Sequence, residues 1–212
     1  FDFIAEDGKI VLNGDDDKLS TLHEVKGIAP TFFGLESGRE ICADELVSKG
    51  LRGTVCQIHT PQGNISVHVP LPGRHMVMNA LAGTAVGLEL GLSLEEIKRG
   101  IEKVEALNGR FHMIEHNGML IVDDCYNASP TSMESSLSVL GGMECSGRKC
   151  AVLGDMLELG EMSAQLHAGV AEYITKNADC AFLYGAEMAN CREALERSGF
   201  EVHHSTDKAA LT

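Results

Sequence analysis

Two adjacent acids, Asp123 and Asp124, stand directly before a tyrosine and an asparagine in the segment Asp123-Asp124-Cys125-Tyr126-Asn127-Ala128-Ser129-Pro130. A carboxylate at a strand end can accept hydrogen bonds from both hydroxyls of a ribose, as acids do in dinucleotide folds. Adjacent acids can equally be a charge pair favoured at a helix start by the macrodipole. Tyr126 and Asn127 either face a ligand or brace the turn. Cys125 has no base partner that the sequence assigns, so it does not read as a nucleophile.

Three other segments carry groups with chemical potential. In Leu71-Pro72-Gly73-Arg74-His75-Met76-Val77-Met78-Asn79-Ala80-Leu81-Ala82, a glycine turn opens a helix, and free N–H groups beside Arg74 could receive an anionic or carbonyl-bearing ligand. Asn79 lies one turn beyond His75, and its amide offers both a donor and an acceptor to a nucleobase edge. The plainer reading is that both residues brace a domain junction. Arg110, in Asn108-Gly109-Arg110-Phe111, presents a planar fork suited to phosphate, or is simply solvated. In Gly154-Asp155-Met156-Leu157-Glu158-Leu159-Gly160, Asp155 and Glu158 could hold an amine or a metal-bound water, or cap a helix. His167 follows on the next helix; its first reading is structural and its second catalytic.

The elements that must position these groups follow from periodicity. The apolar run Met119-Leu120-Ile121-Val122 predicts a buried strand, with Ser129 at the N-cap and Pro130 at the first position of the helix that follows. Residues 9–12 predict a strand that ends in the polar turn Asn13-Gly14-Asp15-Asp16-Asp17. Residues 54–60 and 64–71 alternate apolar and polar and predict a hairpin with one solvated face, turning at Pro61-Gln62-Gly63. A helix is predicted over 75–90. Ser93 with Glu96 forms a capping box for another that runs to about Val104. Asn108-Gly109 marks a boundary between a segment 1–107 and a segment 108–212.

Beyond it, strands at 119–122, 150–153, 181–184 and 201–203 alternate with helices at 131–140, 163–177 and 186–198. This order predicts parallel strands joined by crossovers, an α/β architecture. On that reading Asp123-Asp124, Gly154-Asp155 and Gly185 all follow strand ends and converge on one edge of one sheet.

Composition narrows the classes. The chain has 212 residues, 31 acids against 17 bases and a formal charge of −14, which argues against nonspecific nucleic-acid binding. Its 7 cysteines are irregularly spaced with no Cys-x-x-Cys pair, so neither a zinc site nor a disulfide framework is expected. Reduced thiols point to the cytoplasm. No apolar run is long enough to cross a membrane and no signal peptide is recognisable. The abrupt opening Phe1-Asp2-Phe3-Ile4 and an unfinished helix at 205–212 read as the ends of an internal piece of a longer protein.

Taken together, the four segments resemble the Mur ligases, the ATP-dependent amide-forming enzymes of peptidoglycan synthesis. The 123–130 segment is similar to the family's Asp-Asp-Ser-Tyr-Asn-Ala-Asn-Pro motif, and 152–160 with Ser163 and His167 to a second signature. Gly73-Arg74-His75 with Asn79-Ala80-Leu81-Ala82 resembles a motif shared across the family, and Asn13-Gly14-Asp15-Asp16 its Asn-x-Asp-Asp turn. Met76, Cys125 and Ser129 depart from the family pattern by changes that leave the fold intact.

The resemblance implies that 1–107 is the end of the central ATPase domain and that 108–212 is an incomplete Rossmann-like C-terminal domain with a mostly parallel sheet. It implies ligation of D-alanyl-D-alanine to UDP-N-acetylmuramoyl-tripeptide through an acyl phosphate, with ATP and Mg2+. By the same resemblance Asn79, with His75 beside it, would contact adenine. Asp124 would contact the ribose, Arg110 the phosphates or ribose, and Tyr126 and Asn127 the same nucleotide. Asp155, Glu158 and His167 would lie nearer the dipeptide, with Asp155 and His167 the candidates for a catalytic part. A monomer is implied.

Nothing in the chain resembles the phosphate-cradling Gly-x-x-Gly-Lys-Thr loop, and the resemblance puts that loop and the magnesium ligands outside it, so the chain alone is expected to be inactive toward ATP. The competing readings are another ligase of the superfamily, such as folylpolyglutamate synthase, which lacks Tyr-Asn after the acids, and a noncatalytic nucleotide-binding α/β module.

Overall fold

The computed structural model describes residues 3–211, which form two compact units, one ending at Glu105 and one beginning at Ala106. Phe1, Asp2 and Thr212, which bear on the expected cut and on the unfinished helix, lie outside the described residues.

The first unit comprises β1 (Val11–Asn13), β2 (Thr31–Gly34), β3 (Ile41–Ser48), β4 (Thr54–Thr60), β5 (Gly63–Val69), α1 (Arg74–Glu89) and α2 (Leu94–Glu102). The strands form one sheet in the order β1-β2-β3-β4-β5. The first three run parallel, and the pairs β3–β4 and β4–β5 are antiparallel. The expected hairpin is present along its full length, with Thr54 opposite Val69 and Thr60 opposite Gly63. Its alternation sends Cys56, Ile58, Ile65, Val67 and Val69 into a core shared with Val77, Leu81 and Ala85 of α1 and Ile97 and Ile101 of α2. The capping box is formed: Ser93 Oγ accepts from the Glu96 N–H at 3.3 Å, and the Ser93 N–H donates to Glu96 Oε2 at 3.0 Å.

Strands β2 and β3 were not legible from periodicity. β2 is four residues long, and in β3 the alternation breaks at a bulge between Asp44 and Val47 where Glu45 takes a φ of 50°. At Gly53 the chain enters β4 with φ 90°, and a Cβ there would collide with the Val69 carbonyl, so only glycine fits.

The second unit comprises β6 (His112–His116), β7 (Met119–Asp123), α3 (Pro130–Gly142), β8 (Cys150–Gly154), α4 (Ser163–Asn177), β9 (Cys180–Tyr184), α5 (Ala189–Arg197) and β10 (Val202–Ser205). Three strands form a parallel sheet in the order β10-β9-β8, as the alternating strand–helix pattern predicts. Ala151, Ala181 and Leu183 from the strands meet Met133, Leu137, Val170, Ala171, Ile174 and Leu195 from the helices in one core. After β10 comes a short 3₁₀ turn at Lys208–Leu211.

One expectation is overturned. The run 119–122 does form a strand, but β7 pairs antiparallel with β6 alone in a two-stranded ribbon, outside the parallel sheet. Met119, Leu120 and Ile121 are 57%, 43% and 44% exposed rather than buried. The cause is Asn117-Gly118, with φ 49° and 77°, a two-residue turn that matches strand twist and folds β7 back on β6. Consequently Asp123-Asp124 does not share a sheet edge with Asp155 and Gly185. Only the latter two come together.

The core of this unit predicts its response to truncation. Leu183→Ala should cost about 2–5 kcal/mol, read by urea unfolding, because Leu183 is fully buried in the central strand β9.

Candidate functional site

The first unit carries His75 and Asn79 one turn apart on α1. Gly73, with φ 106°, serves as N-cap, and no side chain caps the helix start. The buried face of α1 is made by Val77, Ala80, Leu81, Thr84 and Ala85, which turns Asn79 outward. The Asn79 amide N–H reaches the Met76 sulfur at 3.7 Å. His75 is partly buried and Arg74 exposed.

In the second unit, four of the expected residues are brought into one neighbourhood. Asp124 Oδ1 accepts the Phe111 N–H at 3.1 Å, and Asp124 Oδ2 accepts the Ser136 hydroxyl at 2.6 Å. One carboxylate thereby ties the end of β7 to the loop before β6 and to α3. Phe111 is 1% exposed and holds a φ of 54°, a backbone that a bulky side chain rarely adopts, so burial and the Asp124 bond together fix this corner. The neighbouring Arg110 guanidinium lies over the Tyr126 ring, 4.1 Å from its centroid. The Tyr126 N–H closes the arrangement on the Gly109 carbonyl at 3.0 Å. Asn127 Oδ1 accepts from the Ala128 N–H at 2.9 Å, a bracing contact inside the turn. Ser129 caps α3 as the sequence predicts, in a capping box completed by Ser132.

The electrostatics explain Cys125. The Cys125 N–H donates to Asp123 Oδ1 at 3.3 Å, and the closeness of the Asp123 carboxylate to the thiol pushes the thiol above its ordinary value and holds the carboxyl of Asp123 below its own. A thiol kept protonated by a neighbouring anion is a poor nucleophile, in agreement with the reading of the sequence.

The 154–160 loop is held from behind. His167 is fully buried, and its Nε2 accepts the Met156 N–H at 2.9 Å while Nδ1 donates to the Ser163 carbonyl at 2.8 Å. Because one partner only donates and the other only accepts, the neutral Nδ1–H form is the one that satisfies both. In this arrangement both ring nitrogens are engaged by main-chain groups and the side chain is fully buried. Asp155 is likewise engaged, accepting from the Met188 N–H at 2.9 Å and the Glu187 N–H at 3.3 Å at the entry to α5. Gly185 gives it room, since a Cβ there would overlap the carboxylate. Glu158, with φ 63°, stands exposed on the same loop.

Sequence reasoning missed Ser136, Phe111 and Glu187. Ser136 lies one and a half turns into α3, where no motif marks it. Glu187 accepts the Ser163 hydroxyl at 2.7 Å, a pairing 24 positions apart that spacing does not reveal. Among the described residues no three His, Cys, Asp or Glu side chains are grouped as a metal cage requires.

Comparison with known proteins is consistent across the chain. The Mur ligase middle domain matches residues 1–87, and the Mur ligase glutamate ligase domain matches residues 109–212. The UDP-N-acetylmuramoyl-tripeptide–D-alanyl-D-alanine ligase of Escherichia coli is 33% identical over 214 residues, covering 100% of this chain and 46% of its own length. A crystal structure of MurF from Acinetobacter baumannii superposes with a TM-score of 0.87 at 31% identity, over 98% of this chain and 44% of that one. MurF ligase from Thermotoga maritima, solved in complex with ADP, superposes with a TM-score of 0.74 at 25% identity, over 93% of this chain and 44% of that one. The chain thus spans about half the length of the curated relatives it matches. With both domain models, whole-chain relatives and solved folds in agreement, the chain belongs to the Mur ligase family.

Proposed function

We propose that this chain forms part of an ATP-dependent ligase that joins D-alanyl-D-alanine to UDP-N-acetylmuramoyl-tripeptide through an acyl phosphate in peptidoglycan synthesis. Residues 1–107 would be the C-terminal part of its central ATP-binding domain and residues 108–212 its Rossmann-like C-terminal domain. The observation that carries this reading is the cluster of Arg110, Asp124 and Tyr126, in which the 123–130 segment that sets this branch of the family apart meets the 108–111 loop. The names of the whole-chain relatives and the ADP complex of a structural neighbour support it.

The donor set suits a nucleotide. Each Asp124 oxygen accepts one hydrogen bond and has a second lone pair for a ribose hydroxyl. Arg110 offers a fork to a phosphate or to the ribose, and the Tyr126 ring beneath it, 69% exposed, holds the guanidinium in place. Asn127 stands beside them. On the first unit, Asn79 presents its amide to an adenine edge, with His75 on the same helix face. Magnesium would offset charge on the transferring phosphoryl group. Within the second unit Asp155 and His167 hold the 154–160 loop, and the exposed Glu158 is its group open to the ammonium of the incoming dipeptide. All seven cysteines are free thiols, and no helix among the described residues is long and apolar enough to cross a membrane. A monomer in the cytoplasm completes the proposal.

The test is ADP release by a protein in which this chain is joined to the segment bearing the phosphate-binding loop. Release should require both UDP-N-acetylmuramoyl-tripeptide and D-alanyl-D-alanine, and Asp124→Ala should lower kcat/KM for ATP by roughly a hundredfold. Release independent of the dipeptide would overturn the assignment in favour of a nucleotide-binding module. The chain alone should not turn over ATP. Tyr126→Phe should leave the KM for ATP near its original value, whereas Tyr126→Ala should raise it about three- to tenfold by freeing Arg110. His167→Ala should cost about 2–4 kcal/mol in urea unfolding by stranding the Met156 N–H. It should also raise the KM for the dipeptide more than that for ATP.

A further inference from the structure

Cys150 and Cys180 are direct register partners at the start of the parallel strands β8 and β9. Neither belongs to a segment used above. Strands in a sheet lie about 4.8 Å apart, inside the Cα separation a disulfide spans. The two side chains project to the same face, and the Cys180 thiol donates to the Cys150 sulfur at 3.1 Å. The two residues differ in environment: Cys150 is exposed, whereas Cys180 is 2% exposed. Around them, Arg148 is bound to Glu201 at 2.7 Å, so a cation and an anion flank the pair.

We propose that Cys150 and Cys180 form a peroxide-responsive thiol pair, in which Cys150 is the reacting sulfur and Cys180 resolves it to a reversible disulfide. The division of labour follows from access and hydrogen bonding. Cys150 is the sulfur a small hydroperoxide can reach, and it accepts the Cys180 S–H, so the two sulfurs already face each other. Burial and that same contact push the Cys180 thiol up to about 11, which keeps it protonated until it attacks.

In the first step the Cys150 thiolate bonds to one peroxide oxygen, the O–O bond breaks, and the departing oxygen takes a proton and leaves as water. In the second, the Cys180 sulfur bonds to the sulfenic sulfur of Cys150. Its proton goes with the displaced hydroxyl, and a second water leaves. Two thiols have then lost two electrons and two protons, and one hydrogen peroxide has become two waters. The closed loop joins positions 30 apart and contains the 154–160 loop and α4. The bond sits at the amino ends of β8 and β9, and Asp155 follows the opposite end of β8.

The test is hydrogen peroxide treatment of the purified chain, followed by peptide mapping and thermal unfolding. The expected product is a single Cys150–Cys180 disulfide that dithiothreitol reverses and that raises the Tm by about 5 °C or more. Cys150→Ser, an exposed and conservative change, should abolish it. Cys180→Ser should instead leave a sulfenic acid at Cys150 that a cyclic dione captures. Pairing of Cys150 with the exposed Cys145, a stable sulfinate at Cys150 without a disulfide, or an equal response in Cys150→Ser would each overturn the proposal.

Discussion

The carboxylate of Asp124 is the contact on which the second unit's candidate site depends. It accepts one hydrogen bond from the backbone of Phe111 and one from the side chain of Ser136, so three segments distant in sequence share a single anchor. A hydrogen bond to a charged acceptor is worth about twice a neutral one; here one bond extends the end of the β6–β7 ribbon and the other ties that ribbon to α3. The stack of Arg110 on Tyr126 is a consequence of that anchoring, because the loop carrying Arg110 is the one fixed through Phe111. Chemistry and architecture thus meet in one side chain. A change there loosens the frame as well as removing a ligand-facing group.

The loop 154–160 shows the complementary arrangement, in which polar residues serve the backbone. His167 and Asp155 stand out in the sequence because their types are catalytic elsewhere. Inside the fold each also holds main-chain groups that would otherwise be buried without a partner. The imidazole is held between a donor and an acceptor, and the carboxylate caps the approach to α5. Such commitments let a loop carry left-handed residues at Glu158 and Gly160 and still hold one conformation.

Much of the fold was legible because period and punctuation agree. The β4–β5 hairpin, the capping box at Ser93, the N-cap at Ser129, and the three parallel strands announce themselves by alternation, caps and spacing. The ribbon β6–β7 was misread because a continuous apolar run implies burial on both faces. The two-residue turn at Asn117-Gly118 was the signal that should have taken precedence. The bulge at Glu45 hid β3 for a related reason, since one left-handed residue breaks the alternation that marks a strand. In the site, the identities of Arg110, Asp124 and Tyr126 were readable, but their partners were not. Ser136 and Phe111 reach Asp124 only through tertiary folding, for which spacing along the chain carries no code.

The left-handed backbone at Phe111 has a consequence for which replacements the position can accept. Its torsion angle favours glycine or asparagine, while its almost complete enclosure favours a large ring. Glycine would relieve the backbone and empty the space the ring fills. Asparagine would suit the torsion and bring an amide into a place with little water to solvate it. The two demands select against each other's solutions, so Phe111 sits in a narrow window of acceptable residues.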